Sequence, residues 1–374
     1  MKKLLPLLLL AAASAFAQKP ADGVWTQFEK QTKAGSTFGY KDATGHIRIP
    51  AKFGDFSRAL RFRHIVAVSE EATQRHYYLL KNGRQVGRDS VYMFDYTFDC
   101  ESESKIRFES RAKNRVGFLN GQGRVVIPAV YNYVTPFHNA LAVGLIGARA
   151  KCFSGEKDSI ACEHPGWVGG KWVLLNERNE ILINFSAEFP WQRLSLYSAS
   201  INAAAPDTAT TVTLRAVNGD RYSFVDYEKE FAKWFYSVFV PAVRMSAVEK
   251  ITSFCLSEVM MEGPAFRDRL RLKRADFAQK FYKSLLQPEL SAIRHGNESV
   301  RIFSDDLAIS LLSGRQFQYF FTDCGQPFQE KYPAFTVVIT KVNSRGAVKH
   351  DYQEQFAFIR TAKGYRLFSV AQTN

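Results

Sequence analysis

Several common functional signatures are missing from this chain, and each absence narrows its function. Past the first residues no stretch approaches the ~20 apolar residues of a membrane-spanning helix; the run 235–243 is far too short. The five cysteines form no C-x-x-C pair, which argues against a cysteine zinc site. There is no phosphate-binding glycine loop, no G-x-S-x-G elbow, no H-E-x-x-H and no S-x-x-K beside a partner motif. No cofactor is therefore expected and no catalytic or metal-binding residue is assigned. The seven histidines, at 46, 64, 76, 138, 164, 295 and 350, are scattered and read as structural. Asp305-Asp306 reads as a cap on a helical turn over 307–312.

What is present begins with a leader. Lys2 and Lys3 precede an apolar stretch over 4–16, and Ala15-Phe16-Ala17 is an A-x-A cleavage site. Cleavage after Ala17 makes Gln18 the mature N-terminus. The first cysteine is Cys100, so a lipid anchor at the cleavage site is not expected. The expectation is an exported, periplasmic or secreted protein. Its 50 basic and 36 acidic residues give +14, or +12 without the leader's two lysines. For an exported chain that surplus points to an anionic envelope polymer rather than to nucleic acid. Five cysteines in an exported chain suggest disulfides and one left over. Cys152 and Cys162 flank a polar loop; Cys255 and Cys324 lie in one C-terminal region, a pairing that leaves Cys100 free.

The strongest positive signal is a phrase written twice. Phe38-Gly39-Tyr40-Lys41-Asp42-Ala43-Thr44-Gly45-His46-Ile47-Arg48-Ile49-Pro50-Ala51 returns as Val116-Gly117-Phe118-Leu119-Asn120-Gly121-Gln122-Gly123-Arg124-Val125-Val126-Ile127-Pro128-Ala129, with each position shifted by 78. Gly45, Gly83 and Gly123, spaced 38 and 40, expose a weaker copy around Gly83. Gly170 to Ile183 is a fourth copy, and Asn218-Gly219 lies in a doubtful fifth that also reads as a hairpin. Each unit reads as strand, glycine turn, alternating strand and return strand. A proline ends the second strand because it cannot donate to a ladder. Phe137-His138-Asn139-Ala140-Leu141 aligns with Phe56-Ser57-Arg58-Ala59-Leu60. Such a unit cannot bury its own apolar face, so neighbours must stack.

This pattern resembles the WG-repeat (KWG) family in degenerate form over about residues 30–190. The family's Trp is replaced at Phe38 and Val116 and kept at Trp172, where Val173 replaces the following glycine. The resemblance implies a β-rich module for protein–protein contacts and carries no catalytic residue. Gly39, Gly45, Pro50, Gly83, Gly117, Gly123, Pro128 and Trp172 are its structural positions.

Downstream, Met245 to Met260 reads as an amphipathic helix stopped by Gly263-Pro264, and 276–293 as a second. Strand-like stretches follow, aromatic over 316–322 and long over 334–342, 352–361 and 365–370. This α+β order is similar to the NTF2-like fold, a curved sheet wrapped on helices as a cone. Tyr319, Asp323 and Tyr332 are placed as a candidate pocket at its mouth. The expected fold is thus a stacked antiparallel β-repeat domain over 18–190, a β hairpin or degenerate repeat with a linker over 191–245, and an α+β domain over 246–374. The expected function is a non-enzymatic interaction protein of the envelope with a protein partner. The alternative is a C-terminal domain that binds or hydrolyses a small ligand while the repeats target it.

Overall fold

The computed structural model describes residues 23–373 other than 34, 153–165, 205, 246, 264–268, 292, 295, 297, 298, 306, 346 and 347. Residues 25–225 form several antiparallel sheets, and the part that follows is α+β. Four β units follow one another. The first uses strands Gly35–Lys41, Ile47–Phe53 and Ile65–Glu70. The second uses Arg75–Leu80, Gln85–Val86 and Lys105–Ser110. The third uses Arg115–Asn120, Val125–Tyr131 and Leu141–Ile146. The fourth uses Lys171–Asn176 and Ile181–Asn184. The return strand of each unit pairs with the first strand of the next, as Ile65 with Leu80, Lys105 with Asn120, and Leu141 with Asn176.

These ladders explain why the return strands Ile65–Glu70 and Leu141–Ile146 lack alternation. Val66 and Val68 face the core of the first unit, while Ile65 and Ala67 face a separate core shared with Ile106 and Leu119. A strand covered on both faces reads as one continuous apolar run. Leu141–Ile146 repeats the arrangement, with Ala142 on one core and Leu141 and Val143 on the next. Stacking therefore gives each unit the burial it cannot supply alone.

The turn is closed by the same bonds in the first, third and fourth units. In the first, Gly45 N–H donates to Asp42 O, and Asp42 Oδ1 accepts from the amides of Thr44 and His46. In the third, Gly123 donates to Asn120 O, and Asn120 Oδ1 accepts from Gln122 and Arg124. The fourth repeats this with Asn176 as acceptor, and Asn179 stands where the others have glycine, at φ 63°. Asparagine is the side chain that best tolerates this left-handed position.

Strand pairing corrects one alignment. Leu141 occupies the ladder position of Ile65, not of Leu60. In the second and third units the return turn is a two-residue hairpin in left-handed backbone, Glu103-Ser104 and Asn139-Ala140. The segment around Asn218 is a hairpin: Ser200–Ile201 adds to Arg221–Val225, its second strand, whereas a preceding unit adds to the first.

The C-terminal part is a six-stranded sheet. Its order is Leu270–Lys273, Cys255–Glu262, Gly364–Thr373, Val348–Thr361, Ala334–Arg345 and Val300–Ser304. All neighbours are antiparallel except Cys255–Glu262 with Gly364–Thr373. Helical turns over 227–245 and 274–290 cover one face. The helical run thus starts well before Met245, and Cys255–Glu262 is a strand, not the end of a helix. Both of its faces are covered, Val259 and Met261 by the main core and Leu256 by another, so its apolar run carries no period that distinguishes strand from helix. The aromatic stretch near Gln316 is the 3-10 turn Arg315–Phe320, whose Phe317 and Phe320 cover the sheet's other face. Asp305 caps the preceding turn, accepting from Ala308 N–H at 3.1 Å.

Candidate functional site

The glycines of the repeated phrase are explained by their partner strands. A Cβ on Gly117 would lie 2.5 Å from Ile127 O and 2.7 Å from Pro128 C; on Gly39 it would lie 2.5 Å from Ile49 O. The proline-bearing strand bulges over the glycine in both units, with the same pairing, Tyr40 to Ile49 and Phe118 to Ile127. In the fourth unit Val173 stands at the glycine position and Asn184 at the proline position, and the two pair directly. Glycine and proline are thus lost together, which accounts for the degenerate copy. Trp172 keeps the aromatic position and packs on Trp191, centroids 4.6 Å apart.

The second strands run along sheet edges in the second, third and fourth units. Two residues past the turn each unit points a side chain outward. Ile47 is 60% exposed, Val125 57% and Ile181 37%; the second unit has Gln85 there. The turns themselves touch: Arg84 donates to Gln122 O, and Tyr131 Oη donates to Asn179 Oδ1 at 2.6 Å. The outward residues therefore recur in step as a branched apolar stripe broken by Gln85 in the second unit, with Val126 and Val130 widening it at the third.

The opposite, return-turn end is tied together by carboxylates. Glu101 accepts from the amides of His64 and Ile65 at 2.9 and 3.1 Å, and lies 2.5 Å from His64 Nδ1. Glu103 accepts from the amides of Asn139 and Ala140 at 2.6 and 2.8 Å. Both acids belong to the second unit, which thereby clasps the first and the third. Arg107 and Asp99 add a buried pair, Nε to Oδ2 2.6 Å. Burial alone lowers the pKa of Arg107, but Asp99 outweighs it and the guanidinium is held above its ordinary value.

A strap from the C-terminal part crosses this end. Its finger, 321–327, is a tight turn: Thr322 N–H donates to Gln326 O and Gly325 N–H to Thr322 O, both at 2.8 Å. Asp323, 9% exposed, lies between two arginines. Arg61 Nε donates to Oδ1 at 2.7 Å, and Arg63 Nε to Oδ2 at 2.6 Å. The amides of Leu60 and Arg61 donate to Asp323 O. The Asp323 hydrogen bond holds the Arg63 pKa above its ordinary value. Further along, Phe328 packs on His138 and Tyr197, and Lys331 lies over the rings of Tyr197, Phe328 and Tyr332. Burial there pushes the His138 pKa down, with Glu330 and Glu103 opposing.

Two sequence expectations change here. Asp323 does not join Tyr319 and Tyr332 in a pocket: those rings meet each other at 5.7 Å, while the carboxylate turns to Arg61 and Arg63. Cys324 pairs with Cys100, not with Cys255. Cys255 sits in the main core with its thiol donating to Ile251 O, and burial pushes its pKa up to about 12. Sequence separation hid the true pair, since 224 residues part the two cysteines and only the docked strap brings them together. Cys152 is disulfide-bonded, and Cys162 lies outside the described residues. The helix-covered face of the C-terminal sheet is filled by Phe231, Phe235, Phe239, Phe277, Phe335 and Phe358, which occupy the space that a ligand-holding cone would leave open.

Together these features define a β-repeat protein joined to an α+β domain. Residues 117–143, which run from the glycine of the third unit through its return turn, match the family model described as WG containing repeat. Neither a curated protein nor a solved structure matches the chain.

Proposed function

We propose that this chain is an exported, non-enzymatic binding protein whose repeats carry a protein partner. The supporting observation is the outward stripe of Ile47, Val125 and Ile181, which recurs at one position of the unit and which the fold leaves uncovered. Apolar side chains repeated on an outer face mark contact surfaces. The stripe favours a protein partner over an anionic polymer, because branched aliphatic groups gain from burial and add nothing to charge attraction. The leader supports export. The C-terminal domain is proposed to follow the NTF2-like plan, supported by helices laid over a sheet that ends in long strands. Its ring-filled interior speaks for a scaffold rather than a small-ligand enzyme.

The test is a pull-down from envelope extract with the full mature chain and with an Ile47→Lys/Val125→Lys/Ile181→Lys variant of unchanged circular dichroism. Partners recovered by the native chain and lost by the variant support the reading. Equal recovery by both overturns it. Fractionation with N-terminal sequencing checks export: the mature protein begins at Gln18.

A further inference from the structure

The strap ends in a carboxylate clamp that the chain fills with its own side chain. Arg61 and Arg63 approach Asp323 from two sides, and a second Arg63 bond, Nη2 to Oδ1, spans 3.2 Å. Arg61 continues along the finger's backbone, donating from Nη2 to Phe321 O at 2.6 Å and Thr322 O at 2.9 Å, and from Nη1 to Gln318 O at 3.1 Å. The Leu60 and Arg61 amides take Asp323 O at 2.8 and 3.2 Å. Apart from the bond to Gln318 O, these donors read features common to acidic tight turns, a carboxylate and the carbonyls near it. Forked guanidinium donors suit such bidentate recognition. Glu101 does not compete, because its oxygens are engaged by His64 and Ile65.

The finger also carries a disulfide that links the C-terminal part to the repeats. Cys324 follows Asp323 directly and is bonded to Cys100 of the second unit. A tethered ligand competes at an effective concentration of order millimolar or above, so a free peptide meets an occupied site while the bond is intact. We propose that Arg61 and Arg63 form a binding site for an acidic turn of a partner polypeptide, closed in cis by the 321–327 finger until a dithiol reductant opens Cys100–Cys324. One thiolate of the reductant attacks a sulfur of the bond and displaces the other cysteine as thiolate. The reductant's second thiolate then displaces the first cysteine. Two protons are taken up by the protein sulfurs, and two electrons pass from dithiol to disulfide. The released finger leaves both guanidinium groups and the two amides free to take a carboxylate and its neighbouring carbonyl in trans. The outward stripe of Ile47, Val125 and Ile181 is not used, so this inference stands or falls apart from that reading.

The test uses the full mature chain and a fluorescent peptide of residues 318–329 carrying Cys324→Ser, followed by anisotropy. The oxidised protein is expected to leave the peptide unbound. A Cys100→Ser/Cys324→Ser/Asp323→Asn chain is expected to bind it, and adding Arg61→Gln/Arg63→Gln to weaken binding tenfold or more. An Asp323→Asn peptide should lose as much. Hydrogen exchange over 317–332, in a Cys100→Ser/Cys324→Ser chain that keeps Asp323, reports the finger directly. Protection that persists in the opened chain overturns the release step. An opened finger without peptide binding, or binding indifferent to both arginines, overturns the site.

Discussion

Two small residues carry the strictest local demands. Gly117 lies under the Pro128 bulge, with no room for a methyl group. Gly117→Ala is expected to destabilise by about 1–3 kcal/mol, the usual cost of overpacking, read as a drop in the urea midpoint. Gly39→Ala should match it, since its Cβ meets the same backbone atoms. Ala140 shows the reverse. It is held at φ 60° at the second position of a tight hairpin. A left-handed alanine costs roughly 1–2 kcal/mol, part of which glycine gives back as unfolded-chain entropy. Ala140→Gly is therefore expected to stabilise by about 0.5–1 kcal/mol, measured in the same urea titration. The Glu103 carboxylate, bonded to both amides of the turn, explains how the strained form persists.

At the scale of the element, the 65–80 hairpin carries an acid-sensitive tie. Lys52, through its hydrogen bond, and then Tyr77 hold Glu70 at a pKa of about 2, below an ordinary 4.5. A carboxyl whose folded pKa is depressed adds stability above its unfolded pKa, and that stability is lost as pH falls toward the folded one. Between pH 4.5 and about 2 the native chain should thus lose stability faster than Glu70→Gln, in parallel melts across that window. The repeat elements were legible in the sequence because their signals are local. Glycine, Asp or Asn, and proline sit at fixed offsets, and each answers a backbone need. The alignment of the return turn is not legible, because no strand pairing is visible in a string. The strand Cys255–Glu262 reads as helix in the sequence because burial on both faces removes its period. Asp323 stands out in the sequence as a site residue, but its partners Arg61 and Arg63 do not. They lie some 260 positions away, and the only available hint was an alternating Arg-x-Arg before a return strand.

At the scale of the whole molecule, one disulfide, a few polar contacts and the ring packing of Phe328 hold the strap to the repeats. A staple closing a loop of 224 residues restricts the unfolded chain strongly. Cys100→Ser/Cys324→Ser is expected to cost about 2–5 kcal/mol, seen as a lower unfolding midpoint. An unchanged midpoint would show that the polar contacts hold the strap without the bond.

The strap also acts as a ruler. Its finger engages Arg61 and Arg63 of the first unit, its disulfide Cys100 of the second, and its aromatic end His138 of the third. Glu101 and Glu103 tie the same three units from within. An open repeat array can grow or shrink by a unit and keep its neighbour contacts. Here an inserted or deleted unit would carry one end of the strap about one unit out of register. The number of units between Arg61 and His138 is thus set by the strap, and a duplication within that span would break one of its contacts.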